Sequence, residues 1–239
     1  MCWNVTASLT MVATGTVVTL VSARRGDPRA IWVSMGYFTV MEVLQAAGYG
    51  VIDQCGSPAN RTITILSYLH IALQPLFISA FCMAIAPAPV PAQIRRWVFG
   101  FATIAVWIML LRLVPLQWAG PCQPGDMLCS VRWCLVSGEW HLGWQVPMND
   151  LWGSTFVVGS LKFQFPAYLV TAFVLPLFYG CWRFVLFHLV LGPILSQNLT
   201  DSPYESPAIW CLFSVGLLAI GASPTFRSKV FLSQRQAET

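Results

Sequence analysis

Charged side chains are scarce in this 239-residue sequence. Asp, Glu, Lys and Arg make up 9% of the residues, and hydrophobic residues make up 56%, whereas a typical soluble domain has about 25% charged residues. The composition therefore predicts an integral, multi-pass membrane protein whose surroundings are the lipid bilayer. Apolar runs occupy nearly the whole chain and leave no room for a separate soluble domain.

Several functional classes are excluded by what is missing. Only two lysines are present, Lys162 and Lys229, and neither lies in the last apolar segment, so a retinal Schiff base on a seventh helix is excluded. No Gly-rich phosphate loop occurs, which argues against a nucleotide cofactor. The net charge of +4 is not arranged in a basic stripe, so no nucleic-acid partner is predicted.

Apolar runs of the length needed to cross a ~30 Å hydrocarbon core as helices recur along the chain. They predict an all-α fold, a single membrane domain of seven transmembrane helices. The apolar run 166–196 would also fit one long tilted helix, but that reading would place the basic C-terminal tail outside. The predicted spans are 3–22, 30–52, 62–86, 97–117, 161–180, 181–197 and 207–222, with residues 118–160 as a long outer loop.

The placement of basic residues predicts the orientation of the seven spans. One side of the membrane receives nine of them and the other side three, and the side with more Lys and Arg is normally cytoplasmic. The N-terminus is therefore expected outside and the C-terminus in the cytoplasm. The nine are Arg24, Arg25, Arg29, Arg95, Arg96, Arg183, Arg227, Lys229 and Arg235, and the three are Arg61, Arg132 and Lys162.

Polar side chains within the predicted spans are the main functional signal. A charged group at bilayer depth costs several kcal/mol unless it is paired or hydrated, so such residues usually mark a site. We expect a polar cavity that opens outward between helices two, three, four and six, with the 118–160 loop as its lid. The candidates are Glu42, Gln45, His70, Gln74, Arg112 and His188 in the spans, and Glu139 and His141 in the loop.

Two chemistries suit this set. Glu42, His70 and His188 are the candidate catalytic residues, and the same three, with His141, would bind a zinc-like divalent ion that activates water. Without a metal, Glu42 and His70 would form an acid–base pair or a proton-coupled binding site. A purely structural alternative is that Glu42 pairs with Arg112 or His70 to hold the helices together.

Four cysteines and the Asn-x-Ser/Thr triplets are predicted to lie on the outer side of the membrane. Cys55, Cys122, Cys129 and Cys134 are disulfide candidates with three possible pairings, and one bridge is expected to fasten the long loop over the connection between helices two and three. Cys2 and Cys211 lie close enough to the outer boundary to join them. Among the Asn-x-Ser/Thr triplets, Asn60 and Asn198 are predicted to be the accessible ones.

The opening residues, Met-Cys-Trp-Asn-Val-Thr-Ala-Ser at 1–8, resemble the Met-Cys-x-Ser-Ala-Thr-Ala-Ser start of a family of uncharacterised multi-pass membrane proteins, a domain of unknown function. Asn4 and Val5 replace the usual Ser-Ala, and Glu42 with Gln45 in the second span is also similar. The resemblance implies a multi-pass fold and no particular activity. The seven-span hydrolases that include alkaline ceramidases are similar in span number, but their paired histidines on the last helix are missing here.

Three functions follow from these observations. The first is a membrane-embedded enzyme, in one version a metal-dependent hydrolase, that acts on a lipid or amphiphile. The second is a receptor or proton-linked transporter that binds a small ligand in the same cavity. The third is an accessory subunit of a larger membrane complex.

Overall fold

The computed structural model describes residues 3–151, 156–158 and 161–211, together with Gly216, Ile220, Ser223 and Thr225. The described chain is mostly helical, and four helices are long enough and apolar enough to cross a membrane. Helices that are neighbours in sequence pack against each other. These helices are α1 (Val5–Arg24), α2 (Arg29–Tyr49), α3 (Pro58–Ala84) and α4 (Ala92–Leu111).

The four long helices expose apolar side chains and bury polar ones. On α4, Trp97, Phe101, Ile104 and Trp107 recur at helical spacing and are all largely exposed, whereas polar side chains of α2 and α3 are buried. A helix bundle in water shows the opposite distribution. This arrangement suits lipid around the helices, and it is the arrangement expected of a membrane protein.

Small residues on α1 let α2 approach closely. The buried residues of α1 are Ser8, Gly15 and Ser22, spaced seven apart along one face of the helix. A Cβ added at Gly15 would lie 2.3 Å from Thr39 Oγ1, so only glycine fits at this contact. Close packing of small residues is the usual way in which transmembrane helices associate.

The break predicted between spans five and six is present. The fifth helix, Pro166–Tyr179, ends at Gly180, whose φ of +82° is left-handed. The sixth helix, 182–199, follows as three continuous helical segments. The rings of Phe173 and His188 lie 4.6 Å apart, so the chain turns back at Gly180 as a helical hairpin. Of the seventh predicted span, 207–222, the structure describes residues 207–211, Gly216 and Ile220, and a short helix occupies Ser206–Trp210.

Both helices of this hairpin leave the α conformation near proline. A π-helical turn at Val170–Val174 and a 3₁₀ turn at Leu175–Tyr179 surround Pro176, and a second π-helical turn at Val190–Ile194 contains Pro193. Proline has no N–H to donate and clashes with the preceding turn. The fifth helix is shorter than the predicted span 161–180 because it begins at Pro166, and residues 161–163 form a strand instead.

The long loop is not helical, and the all-α prediction is wrong for this segment. Residues 118–151, here called the loop domain, contain a three-stranded sheet with strand order β1-β3-β2. A separate hairpin, β4 and β5, follows it. The strands are β1 (Cys129–Ser130), β2 (Cys134–Ser137), β3 (Leu142–Pro147), β4 (Phe156–Val158) and β5 (Leu161–Phe163).

Two disulfides stabilise the loop domain. Cys55–Cys134 joins β2 to the connection between α2 and α3, as predicted, and Cys122–Cys129 closes a short loop within the domain. Cys211 is a free thiol, and Cys2 lies outside the described residues.

The predicted accessibility of Asn60 is wrong. Asn60 is completely buried. Its amide donates to the backbone carbonyls of Val51 and Leu135 at 2.8 and 2.9 Å, and it accepts from the Leu135 N–H at 2.9 Å. A side chain that replaces two strand hydrogen bonds is not available to a glycosyltransferase.

Candidate functional site

A small cavity of about 40 Å³ lies inside the helix bundle, and we call it the core cavity. Helices α2, α3, α4 and the sixth helix, which were predicted to surround a polar cavity, each contribute to its wall. The volume has room for about three water molecules. Its lining includes Phe38, Ile71, Gln74, Met109, Gln164, Phe165, Tyr168, His188, Trp210 and Cys211.

Gln74 and His188, two of the predicted site residues, meet at the core cavity. Gln74 Oε1 accepts a hydrogen bond from the Tyr168 hydroxyl at 2.9 Å, and His188 Nε2 accepts from Trp210 Nε1 at 3.0 Å. Both polar groups are therefore already fixed by neighbouring side chains from other helices.

Glu42 and Gln45 are buried on α2, next to this region. Phe38, Glu42 and Gln45 follow one face of the helix, and Phe38 lines the core cavity. Glu42 also interacts electrostatically with Cys211, another lining residue. Neither amide atom of Gln45 has a hydrogen-bond partner among the described residues. The polar face of α2 thus points toward the core cavity without reaching its wall.

His70 is used to fasten α2 to α3. Its Nε2 lies 2.8 Å from the Tyr37 carbonyl, and the Tyr37 hydroxyl donates in return to the His70 carbonyl. The two rings stack with their centroids 4.0 Å apart. Since Nε2 donates to the carbonyl, only Nδ1 remains, and it has no partner among the described residues. This geometry is that of a cross-helix clamp.

The proposed metal ligands do not form a recognisable metal centre. Within the part of the chain that the structure describes, no group of three or more His, Cys, Asp or Glu side chains could hold a metal ion. Among the three histidines, His70 contacts a backbone carbonyl and His188 contacts an indole N–H. His141 lies in the loop domain against Tyr49.

The predicted lid residues Glu139 and His141 act mainly through their backbone. The N–H groups of Glu139 and Trp140 donate to the Glu205 carboxylate at 3.0 and 2.5 Å, and the His141 N–H also donates to it. The Thr200 hydroxyl adds a fourth hydrogen bond at 2.8 Å. Glu205 has no exposed surface, so a buried carboxylate ties the 138–141 turn to the end of the bundle.

The contact with Glu205 accounts for where the side chains of the 138–141 turn lie. Glu139 is exposed, whereas His141 is buried and its Nδ1 accepts the Leu142 N–H at 2.8 Å. Burial lowers the pKa of His141 to about 3, because the charged imidazolium is poorly solvated there. Gly138 is required, since a Cβ at that position would lie 2.5 Å from the Glu205 carboxylate carbon.

A much larger cavity of about 910 Å³ lies where the end of α4 meets the loop domain, and we call it the loop cavity. Arg112, which ends α4 and was predicted to lie within a longer span, is part of its wall. Arg112 is 3% exposed. Its Nε donates to the Asn149 carbonyl at 3.3 Å, and its guanidinium carbon lies 4.6 Å from the centre of the Phe165 ring. Among the described residues Arg112 forms no ion pair with Glu42 within 4.0 Å, so the structural alternative of a Glu42–Arg112 pair is wrong.

Sequence reasoning missed three residues at these sites: Glu205, Asn149 and Phe165. Asn149 Nδ2 caps α4 by donating to the carbonyls of Leu111 and Val114 at 2.8 and 2.6 Å. Phe165 has a left-handed φ of +58° and lines the core cavity while it stacks on Arg112. Only Glu205 carried a signal, because it is one of two acidic residues between positions 161 and 211.

No curated protein and no solved structure is significantly similar to the chain. A family model does match, and it spans residues 6–231, which includes all four long helices, the loop domain and the helical hairpin. The match begins after the opening Met1–Val5 that carried part of the resemblance. Because the match covers nearly the whole chain, the protein belongs to DUF5765, a family of unknown function.

Proposed function

We propose that the protein is a seven-span membrane protein that binds a small amphiphile in the loop cavity. The observation that carries this proposal is the cavity itself, about 910 Å³ in volume and bordered chiefly by apolar side chains with a few polar groups. Ligand sites commonly have volumes of about 300–1,000 Å³ and this mixture of walls. The lining includes Leu113, Val114, Leu116, Trp133 and Met148, with Arg112 and Asn149 as polar members.

The geometry favours binding over hydrolysis. A hydrolase needs a nucleophile or an activated water next to a base and to a group that stabilises the developing charge. Glu42, His70 and His188 were predicted to supply these roles, but His70 and His188 each hold a structural contact. The core cavity, which only His188 of the three lines, has a volume of about 40 Å³ and room only for water. The loop cavity is the one with space for an acyl chain.

The contacts of the loop domain support the proposed orientation. The Trp3 N–H donates to the Trp140 carbonyl at 2.8 Å, so the start of α1 and the loop domain lie on the same side. Both disulfides are on that side, and disulfides persist outside the cell or in an oxidising lumen. Arg24 and Arg25 lie at the other end of α1. We therefore place the N-terminus and the loop cavity outside, with the hairpin 166–199 as spans five and six.

Binding can be tested on the full-length protein in a neutral maltoside detergent. The probe is monoolein, a neutral amphiphile, and its displacement of a fluorescent acyl probe gives the affinity. Val114→Trp places an indole in the loop cavity, and we expect it to weaken binding by about tenfold or more, since it would remove most of the acyl-chain contact area.

Val17→Trp is the matched control. Val17 is 59% exposed on α1, away from the cavity, so the same enlargement there is expected to leave the affinity unchanged. Equal binding by wild type and both variants would contradict the proposal, as would equal loss in both variants.

A further inference from the structure

We propose that the amphiphile in the loop cavity carries an anionic head group, a carboxylate or a phosphate, and that Arg112 is its binding partner. This inference rests on the proposed function and adds the chemistry of the head group. It starts from a buried positive charge on the wall of a cavity that is otherwise largely apolar.

Arg112 lacks an anionic partner among the described residues. No carboxylate of theirs lies within 4.0 Å of its guanidinium. Within that part of the chain, its side chain makes one hydrogen bond, from Nε to the Asn149 carbonyl at 3.3 Å, and neither Nη group donates. A buried guanidinium costs several kcal/mol when its charge is not compensated, so a counter-ion from outside the chain would be strongly favoured.

The guanidinium is held in a fixed position. Asn149 caps the last turn of α4 through Leu111 and Val114, and the Asn149 N–H donates to the Arg112 carbonyl at 2.8 Å. The guanidinium carbon lies over the Phe165 ring, 4.6 Å from its centre. A preorganised guanidinium binds carboxylate or phosphate with two parallel hydrogen bonds, and rigid support raises the affinity of such a site.

The shape of the cavity separates head from tail. Arg112 and Asn149 lie together on the wall. The rest of the wall is mostly apolar, with Leu113, Val114 and Met148 among its members, although it also includes the polar residues Gln117, Ser130 and Tyr204. A single acyl chain would cover the apolar wall while its head group reached the Arg112 Nη atoms. An inorganic anion would leave the apolar wall uncovered.

Two acidic residues near Arg112 offer a competing explanation. Asp126 and Asp150 interact electrostatically with it from beyond hydrogen-bonding distance. Asp126 accepts a hydrogen bond from Gln164 Nε2 at 2.7 Å, whereas Asp150 Oδ1 is buried and has no partner among the described residues. If Arg112 served only to balance Asp150, the cavity would show no preference for anions.

The test compares three probes on the full-length protein in maltoside detergent: oleate, oleoyl lysophosphatidate and neutral monoolein. We expect wild type to bind an anionic probe more tightly than monoolein. Arg112→Gln should lower the affinity for the anionic probe by about tenfold or more, as expected for the loss of a charge-assisted hydrogen bond. It should change the affinity for monoolein by less than about twofold. The tighter of the two anionic probes identifies the head group as carboxylate or phosphate.

Two variants serve as controls. Arg132→Gln removes an exposed charge of the loop domain, whose Nε contacts Gln145 Oε1 at 3.3 Å, and should leave all three affinities unchanged. Asp150→Asn removes the competing carboxylate and should raise the affinity for the anionic probe. Thermal unfolding of each variant shows whether it is folded.

The outcomes separate the two proposals. Monoolein binding without any preference for anions overturns the anionic head group and leaves the proposed function standing. Equal loss of all probes in Arg112→Gln, with the fold intact, also overturns the inference. If wild type binds none of the three probes, the proposed function itself is wrong. An anionic preference that is absent in wild type and appears only in Asp150→Asn assigns Arg112 to Asp150 and contradicts the proposal.

Discussion

The helix bundle and the loop domain are stabilised in different ways. Between the long helices, single side chains reach backbone carbonyls, as Tyr68 does to Met109 at 2.7 Å, and several buried polar atoms, among them Ser67 Oγ, lack a described partner. The loop domain instead has two disulfides, and its 138–141 turn is bound by the Glu205 carboxylate, which accepts four hydrogen bonds. Helices in lipid associate mainly through close packing. A small domain buries little apolar surface and needs disulfides or charge-assisted hydrogen bonds as well.

The disulfide between Cys55 and Cys134 is expected to show the largest effect. It closes a loop of 79 residues, against 7 for Cys122–Cys129, and the chain-entropy model gives stabilisation of about 4.5 and about 2.4 kcal/mol, respectively. Cys55→Ser with Cys134→Ser should therefore lower the free energy of unfolding more than Cys122→Ser with Cys129→Ser. Chemical denaturation in detergent measures both, and equal losses would contradict the assignment.

Removal of the Glu205 carboxylate is expected to cause the next largest loss of stability. Glu205→Ala leaves the buried His141 N–H, the partly buried N–H groups of Glu139 and Trp140, and the Thr200 hydroxyl without this acceptor, which should cost roughly 3 kcal/mol. The exposed carboxylate of Glu139 lies in the same turn, and Glu139→Ala should change stability by less than about 0.5 kcal/mol. A similar loss in both variants would show that the turn is not anchored through Glu205.

The lowered pKa of His141 predicts that its contribution to the stability of the loop domain depends on pH. Its pKa in the folded protein is about 3, below the ordinary value of about 6.5, so the unfolded chain binds a proton that the folded chain does not. Its contribution is fully present above about pH 6.5 and falls as the pH is lowered toward 3, by about 2 kcal/mol between pH 6.5 and 5.

The control for this prediction is His141→Gln. His70 and His188 remain in the variant, so the difference between the two pH profiles of unfolding isolates His141. Parallel profiles would mean that His141 is protonated in the folded protein.

A pair of hydroxyl deletions compares a hydrogen bond inside the bundle with one at the Glu205 anchor, and it includes the smallest expected effect, that of Tyr37→Phe. Tyr37→Phe removes a hydrogen bond to the His70 carbonyl inside the bundle, where such bonds average about 0.6 kcal/mol. Thr200→Val removes one to a buried carboxylate, worth about 1.5–3 kcal/mol. Calorimetric unfolding of both variants compares their losses in the free energy of unfolding. A larger loss in Tyr37→Phe than in Thr200→Val would contradict the prediction.

Local sequence signals predicted the helices well. Hydropathy located α1 to α4 within a few residues at most ends, although α3 starts at Pro58 instead of 62 and α4 spans Ala92–Leu111 instead of 97–117. Gly180 marked the break in the hairpin. The disulfide across the connection between α2 and α3 followed from the cysteine positions and the predicted topology.

The contacts of the site were much harder to predict, because most of them use backbone groups. The amides of the 138–141 turn bind Glu205, and the carbonyls of Tyr37 and Asn149 receive His70 and Arg112. Side-chain identity and helical spacing do not show where a backbone carbonyl or amide of another segment lies. The sheet of the loop domain was missed for a related reason, since its strands have only two to six residues.

The contact of Trp3 with the loop domain has a consequence for how the protein opens. Trp3 Nε1 donates to Ser8 Oγ at 3.0 Å, and its ring stacks on His141 with the centroids 5.7 Å apart. The first turn of α1 is thus part of the same cooperative unit as the 138–141 turn. Amide hydrogens at both places should exchange with deuterium together, ahead of the remainder of α1.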